Sequence, residues 1–324
     1  MDIDYLLVLQ DFREFINDFL TPFMEWISHF AVNYLLIFPV IIYWCLDKKK
    51  GLYTFTSACA CIAVNAVIKL TACVYRPWIK DARVFPAGDA ITESTGYSFP
   101  SGHTSTATPL YGGVAISYKR KKWIVVICAI LILITGFSRN YLGVHTPQDV
   151  FVALILGALS LFGVHKLFQY LENKPEKEWL FLGIGILFGI LALIFISVKS
   201  YPMDYVNGQL LVDPEKMKTD GYKDIGMLLA LCLGRILEKK FVKFSSSGVN
   251  AKGIIITIIG LIPLVVIAKL LPNALASVCG IHLGKSLAQG ILILYIVTGW
   301  PIVIKLVCNK NKPKEPVSRG IEEI

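Results

Sequence analysis

The stretch Ser138-Arg139-Asn140-Tyr141-Leu142-Gly143-Val144-His145-Thr146-Pro147-Gln148-Asp149 places a guanidinium, an imidazole and a carboxylate between two long apolar runs. Thr146 is a good helix N-cap and Pro147 suits the first helical position. His145 is therefore expected at the mouth of a helix, with Asp149 about one turn inside it. A carboxylate one turn from an imidazole can hold the ring and fix its tautomer, which leaves the other nitrogen free to attack an electrophile.

Two more polar clusters lie upstream, Lys69-x6-Arg76-Pro77 and Pro100-Ser101-Gly102-His103. Taken singly, each residue has a plain explanation. Lys69 and Arg139 can snorkel at the end of a span, Arg76 can be a surface charge, Ser101 a helix cap, and His103 an interfacial histidine. Taken together they hold the parts of an anion site. Arg offers a planar fork that matches phosphate oxygens. The amides at Ser101-Gly102 would open a helix, where backbone N–H groups bind anions and Gly lets a ligand come close. The loop acids Asp81, Asp89 and Glu93 are the nearby metal candidates, and a solvated loop is the plainer reading of them.

The rest of the chain must position these groups. Its 324 residues are 55% hydrophobic and 17% charged, with mean hydropathy +0.61, a composition that excludes an ordinary soluble domain and indicates an integral membrane protein. Nine apolar runs near 31–46, 52–71, 103–118, 123–138, 148–168, 179–198, 222–238, 252–271 and 286–307 predict an all-α polytopic helix bundle. The net charge of +9 would point to nucleic acid in a soluble protein. Here it follows from basic connections at Lys48-Lys49-Lys50, Lys119-Arg120-Lys121-Lys122, Lys166, Lys174, Lys177, Lys239, Lys240 and Lys243, with a tail holding Lys310, Lys312, Lys314 and Arg319. No nucleic-acid partner is expected. If the runs alternate, these residues share the cytoplasmic side with the C-terminus, and the three polar clusters share the other face.

Residues 1–30 read as an amphipathic helix, apolar at Tyr5, Leu9, Phe12, Ile16, Phe19, Phe23, Trp26 and Phe30, with a break or kink expected at Thr21-Pro22. It either lies along the membrane interface or packs on the bundle. Its acidic start does not resemble a signal peptide. The chain divides into this segment (1–30), a six-span core (31–198) and a three-span extension with a basic tail (199–324). The chemical groups all precede residue 170. Gly185 and Gly189 hint at close helix packing. Most of the eight cysteines lie inside apolar runs; a Cys73–Cys279 disulfide is the one pairing that a shared surface would allow.

The three clusters, in this order, resemble the three-part pattern of the type 2 phosphatidic acid phosphatase superfamily, which also contains vanadium haloperoxidases, bacterial acid phosphatases and glucose-6-phosphatase. The likeness covers residues 69–149, and every defining position is filled. It implies a two-step phosphoryl transfer. His145 would attack phosphorus and form a phosphohistidine, with Asp149 orienting it. His103 would protonate the leaving oxygen and then activate water. Lys69, Arg76, Ser101, Gly102 and Arg139 would hold the phosphate oxygens. Fixed cations and oriented amides can stabilise that transfer without a metal or cofactor.

The substrate implied is a phospholipid or isoprenoid phosphate, presented at the outer face of a plasma membrane, the inner membrane in a bacterium. Monophosphate and diphosphate lipids both stay open. The competing class is a transporter or scramblase for phosphate-bearing lipids, against which stands the clustering of polar groups at one surface rather than at mid-membrane. The last three runs are open to three roles: a lateral gate, a homodimer contact or a second lipid site.

Overall fold

The computed structural model describes residues 2–308 other than 34 and 95. The basic tail and the side chain of Glu93 lie outside the described residues. The chain is helical almost throughout: α1 (Asp2–Phe15), α2 (Thr21–Asn33), α3 (Ile37–Ile41), α4 (Lys48–Ala72), α5 (Pro77–Lys80), α6 (Ala90–Glu93), α7 (Gly102–Ser117), α8 (Lys122–Tyr141), α9 (Pro147–Asn173), α10 (Glu178–Val198), α11 (Pro214–Leu237), α12 (Ala251–Cys279), α13 (Ile281–Leu294) and α14 (Trp300–Cys308). π-helical turns at Ile42–Leu46 and Glu238–Val242 extend α3 and α11, and a third at Tyr295–Gly299 joins α13 to α14. The described strands are the two-residue β1 (Tyr205–Val206) and β2 (Gln209–Leu210), paired antiparallel. The expected all-α bundle is what forms.

Side-chain contacts reveal the alternation. At one end, Lys49 at the start of α4 pairs with Glu172 at the end of α9, and Lys50 lies 4.9 Å from the centre of the Tyr118 ring beyond α7. Lys48 binds Glu238 at 2.6 Å, and Arg235 joins Glu178 to Glu238, each at 2.6 Å. Lys252 at the start of α12 donates to the carbonyl of Val307 in α14. At the other end, Lys69 meets the loop before α7, the end of α8 runs into the start of α9, and His282 of α13 bonds Glu215 and Thr219 of α11. The basic connections thus gather at one end of the bundle and the site residues at the other.

Among the described residues, six segments are long and apolar enough to cross a membrane: Lys48–Lys80, Lys122–Tyr141, Pro147–Asn173, Pro175–Val198, Ala251–Cys279 and Ile281–Cys308. The other three of the nine expected runs also fold as helix but fall short of that standard. The apolar helix Ile37–Leu46 is short. Helix α7 has 16 residues, and the first half of α11 carries Glu215, Lys216, Lys218, Asp220, Lys223 and Asp224. Position explains the last two. Helix α7 packs against α4, α8 and α9, and α11 against α4, α10 and α13. A helix walled by protein is not required to present an apolar surface to lipid.

The α10–α11 contact uses the expected small residues. A Cβ on Gly189 would lie 2.5 Å from Leu229, and one on Gly185 2.9 Å from the Cys232 sulfur. Further along α11, a Cβ on Gly221 would lie 2.5 Å from Leu70 of α4. One apolar cluster runs from Val40 and Phe55 through Ile196 and Ile225 to Ile304, so the helices beyond residue 198 pack into the same core as those before it.

The N-terminal segment breaks earlier than expected. Asn17 and Asp18 adopt left-handed backbone conformations (φ 49° and 55°), and Thr21-Pro22 begins α2 instead of interrupting a helix. Proline is well suited to a first turn, where its missing N–H has no intrahelical partner in any case. The buried Arg13 of α1 donates to the carbonyls of Tyr141 at 3.0 Å and Phe85 at 2.7 Å, and Gln10 bonds both Arg83 and Phe85. Phe12, Phe15, Phe19, Phe23 and Trp26 point outward and are exposed. The segment therefore packs on the bundle through these polar contacts and the buried Leu6, Met24 and Ile27, and turns an aromatic ridge away from it. The Cys73–Cys279 disulfide is not formed. Both thiols are free, with Cys279 exposed and Cys73 3.4 Å from the Lys199 ammonium.

Candidate active site

The start of α9 builds the site's centre from four consecutive positions. Thr146 is the N-cap. Its backbone N–H donates to Asp149 Oδ2 at 2.9 Å, and its hydroxyl accepts from the Asp149 amide at 3.4 Å. This reciprocal pair is a capping box, which fixes the carboxylate as well as the helix end. Asp149 Oδ2 also lies 3.3 Å from His145 Nδ1 and accepts the Ser98 hydroxyl at 2.5 Å. The other ring nitrogen, His145 Nε2, is 2.8 Å from Arg76 Nη1. Guanidinium can only donate, so Nε2 must accept, and Nδ1 carries the proton that faces Asp149. The nitrogen with the lone pair is therefore the one turned away from the carboxylate.

The loop leading to α9 is fixed just as closely. The amides of Val144 and His145 donate to the Arg139 carbonyl, and Asn140 Nδ2 donates to the His145 carbonyl at 2.9 Å. Gly143 supplies the left-handed turn (φ 73°) that returns the chain toward α9. His145 is 1% and Asp149 2% exposed. Burial holds the His145 imidazole well below the ordinary histidine pKa. The Arg76 guanidinium adds to this and the Asp149 carboxylate opposes it.

A cavity of about 500 Å³ opens beside this centre. Lys69, Arg76, Gly102, His103 and His145 all line it. Lys69 Nζ donates to the carbonyls of Tyr97, Ser98 and Pro100 at 3.2, 3.3 and 2.6 Å, pinning the loop that carries Ser101 and His103. Arg76 also binds the carbonyls of Gly96 and Val144, at 3.0 and 2.9 Å. A Cβ built on Gly102 meets nothing within 4 Å, so the first turn of α7 presents open space to the cavity.

The remaining expected site residues stand behind the lining. Ser101 is fully buried and uses its hydroxyl to cap α7 through Thr104. Arg139 is 1% exposed and bonds the hydroxyls of Ser28 and Ser94, which ties α8 to α2 and to the end of α6. The Asp81 carboxylate is held by Arg83 at 2.7 Å, in the loop rather than at the cavity.

Three contributions were not foreseen from the sequence. Ser98 donates to the Asp149 carboxylate, and a lone serine before Phe99-Pro100 carries no signal of that. Asn65, one turn before Lys69, donates to Ser105 of α7 at 2.7 Å, and both line the cavity. Asp220, Lys223 and Asp224 of α11 and Gln289 of α13 line the same cavity as the histidines. Ionisable groups beyond residue 170, where no chemical group is expected from the sequence, thus share the cavity with the expected site residues. The signal was present in the acids and lysines that interrupt the seventh apolar run, since ionisable groups inside membrane helices mark functional sites.

A family model described as the PAP2 superfamily matches residues 50–173. Phosphatidylglycerophosphatase B of Bacillus subtilis (strain 168) is 34% identical over 112 residues, which are 32% of this chain and 54% of that protein. Undecaprenyl-diphosphatase BcrC of the same organism is 32% identical over 154 residues, 44% of this chain and 74% of the relative. An undecaprenyl-diphosphatase of Sulfolobus acidocaldarius is 28% identical over 146 residues, 44% of this chain and 68% of the relative. This chain belongs to the PAP2 superfamily. The match spans about half the length of the first of these relatives. No solved structure matches the chain significantly.

Proposed function

We propose that the protein is an integral membrane hydrolase that removes phosphate from a lipid phosphate or diphosphate through a phosphohistidine intermediate. The observation that carries this reading is the setting of His145. Its Nδ1–H is held by Asp149, and its Nε2 lone pair faces a cationic cavity shared with His103. In the first step Nε2 attacks phosphorus, the ester P–O bond breaks, and His103 gives a proton to the departing oxygen. In the second, water attacks phosphorus as His103 takes its proton. The P–N bond breaks, and its electron pair returns to Nε2 as phosphate leaves. Lys69, Arg76 and the amides at Gly102 stabilise the charge on the non-bridging oxygens. Ser101 and Arg139 act by holding those groups in place, Ser101 as the cap of α7 and Arg139 through its carbonyl, which accepts from the amides of Val144 and His145.

The reading includes an outer-face site and a cytoplasmic C-terminus, supported by the gathering of basic residues at the opposite end of the bundle. It also treats residues 31–198 as the catalytic core and 199–324 as an added unit that completes the cavity wall. Phosphate release from a detergent-solubilised lipid panel, with orthovanadate as inhibitor, tests the activity. Release from none of the lipids would favour transport. Single cysteines at Asp89 and Lys121 in a cysteine-free background test sidedness, with only Asp89→Cys expected to react with an impermeant thiol reagent in intact cells.

A further inference from the structure

The cavity has two unlike walls. On one stand Lys69, Arg76 and the two histidines, which suit a phosphate. The facing wall belongs to α11 and α13, outside the residues that the family model matches. There Lys223 pairs with Asp220 at 2.7 Å and lies within electrostatic reach of Asp224 as well, so the two acids outnumber the one lysine. Asp224 and Gln289 remain. Both line the cavity, both are partly shielded from solvent, and among the described residues neither side chain has a hydrogen-bond partner. Asp224 lies within electrostatic reach of the Lys69 ammonium, so this wall and the phosphate-gripping wall address one ligand.

A carboxylate can only accept hydrogen bonds, and an amide side chain can do both. A polar group sheltered in a cavity without a partner is costly unless a ligand supplies one. A second phosphate placed there would bring negative charge to Asp224, which disfavours a diphosphate. An alcohol portion carrying a hydroxyl or an amine would instead donate to it.

Resting on the phosphatase reading above, we infer that Asp224, assisted by Gln289, is a specificity-determining residue that recognises a hydroxyl or amine donor beside the ester oxygen. The preferred substrate is then a lipid phosphomonoester with a polar alcohol portion, not an isoprenoid diphosphate.

The test uses the full chain in detergent and three substrates of matched chain length: a plain alkyl phosphate, a monoacylglycerol phosphate with its free hydroxyl, and an isoprenyl diphosphate. The wild type is expected to favour the hydroxyl-bearing substrate over the alkyl phosphate by about tenfold or more in kcat/KM. Asp224→Ala should bring that ratio to about one, and the near-isosteric Asp224→Asn, which guards against misfolding, should raise relative turnover of the diphosphate. An unaltered ratio in both variants, or a wild type that prefers the diphosphate, overturns the inference. Failure of the wild type to release phosphate from any of the three sinks the phosphatase reading instead.

Discussion

Arg76 Nη1 donates to His145 Nε2 across 2.8 Å, while Asp149 holds the opposite nitrogen of the same ring at 3.3 Å. The imidazole is thus fixed in one tautomer by two groups of opposite charge. In the proposed reaction a phosphate arriving at Nε2 would take over the Arg76 N–H, so the residue that occupies that nitrogen would become the one that steadies the charge on phosphorus. The same guanidinium, together with burial, resists protonation of the ring.

The first prediction concerns pH. The folded-state pKa of His145 is lowered, so neutral imidazole persists below the ordinary histidine value of 6.5. For His145, the acid limb of kcat/KM, which reports the free enzyme, should therefore lie below pH 6.5. Linkage gives the same sign for stability. Above that pH the ring is neutral both folded and unfolded and contributes nothing. As pH falls below it, the unfolded chain binds the proton more readily and stability declines. A pH–rate profile compared with one for Arg76→Lys checks the assignment, and an acid limb well above 6.5 in the wild type would count against it.

His145→Ala should reduce turnover by at least about a thousandfold, because without the ring no covalent intermediate forms. Rapid quenching of labelled substrate should yield acid-labile, base-stable phosphoprotein in the wild type and none in the variant. Arg76→Ala should cost on the order of a hundredfold or more in kcat, as for removal of a preorganised donor to a developing oxyanion.

Asp149 and Ser98 make a graded pair. Asp149 receives hydrogen bonds from the Thr146 amide, the Ser98 hydroxyl and the His145 ring. Asp149→Asn places an amide where three donors converge and releases the tautomer, so a loss of roughly a hundredfold to ten-thousandfold in kcat is expected. Ser98→Ala removes one hydrogen bond to a charged acceptor, worth about 1.5–3 kcal/mol, or roughly tenfold to a hundredfold if it is felt in the transition state. Equal effects of the two substitutions would show that the histidine is not oriented by the carboxylate.

The helix starts were legible because caps are local: Thr146-Pro147-x-Asp149 and Ser101-Gly102 each identify their own N-terminus. The alternation was legible because the lysine-rich connections recur at every second turn of the chain. The early break at Asn17-Asp18 was not, since a left-handed turn at these residues competes closely with a kink at Thr21-Pro22. Nor was the part played by α11, because hydropathy scores a helix against lipid, and α11 faces protein and a cavity. The place of Arg139 in the motif gives it a phosphate-binding role, but gives no sign that its guanidinium meets Ser28, some hundred residues earlier in the chain. That contact depends on how α2 lies over α8, which no local pattern encodes.

Removal of divalent ions gives a separate test. In the proposed reaction the charge to be stabilised lies among Lys69, Arg76 and the start of α7, and Asp81 is engaged with Arg83. Turnover in EDTA should stay within about twofold of the untreated rate, because fixed cations supply the electrostatic stabilisation. Complete loss restored by magnesium would require a different mechanism.

The last prediction links the N-terminal helix to the site. Arg13 is 5% exposed and donates to the carbonyls of Tyr141 and Phe85, the first at the end of α8 and the second in the loop after α5. Tyr141 lies beside Asn140, whose side chain holds the His145 carbonyl. Arg13→Ala would leave two carbonyls without their charged donor and loosen the turn that presents His145. Hydrogen bonds from a charged donor contribute about 1.5–3 kcal/mol each, so a fall of several degrees in the apparent melting temperature is expected. Because Arg13 touches neither the cavity nor the histidines, kcat should fall by roughly tenfold or less, with the pH profile keeping its acid limb. Arg13→Lys should recover part of both losses, since a lysine retains the charge but can reach only one of the two carbonyls well. A variant Arg13→Ala as stable and as active as the wild type would mean that α1 merely rests on the bundle.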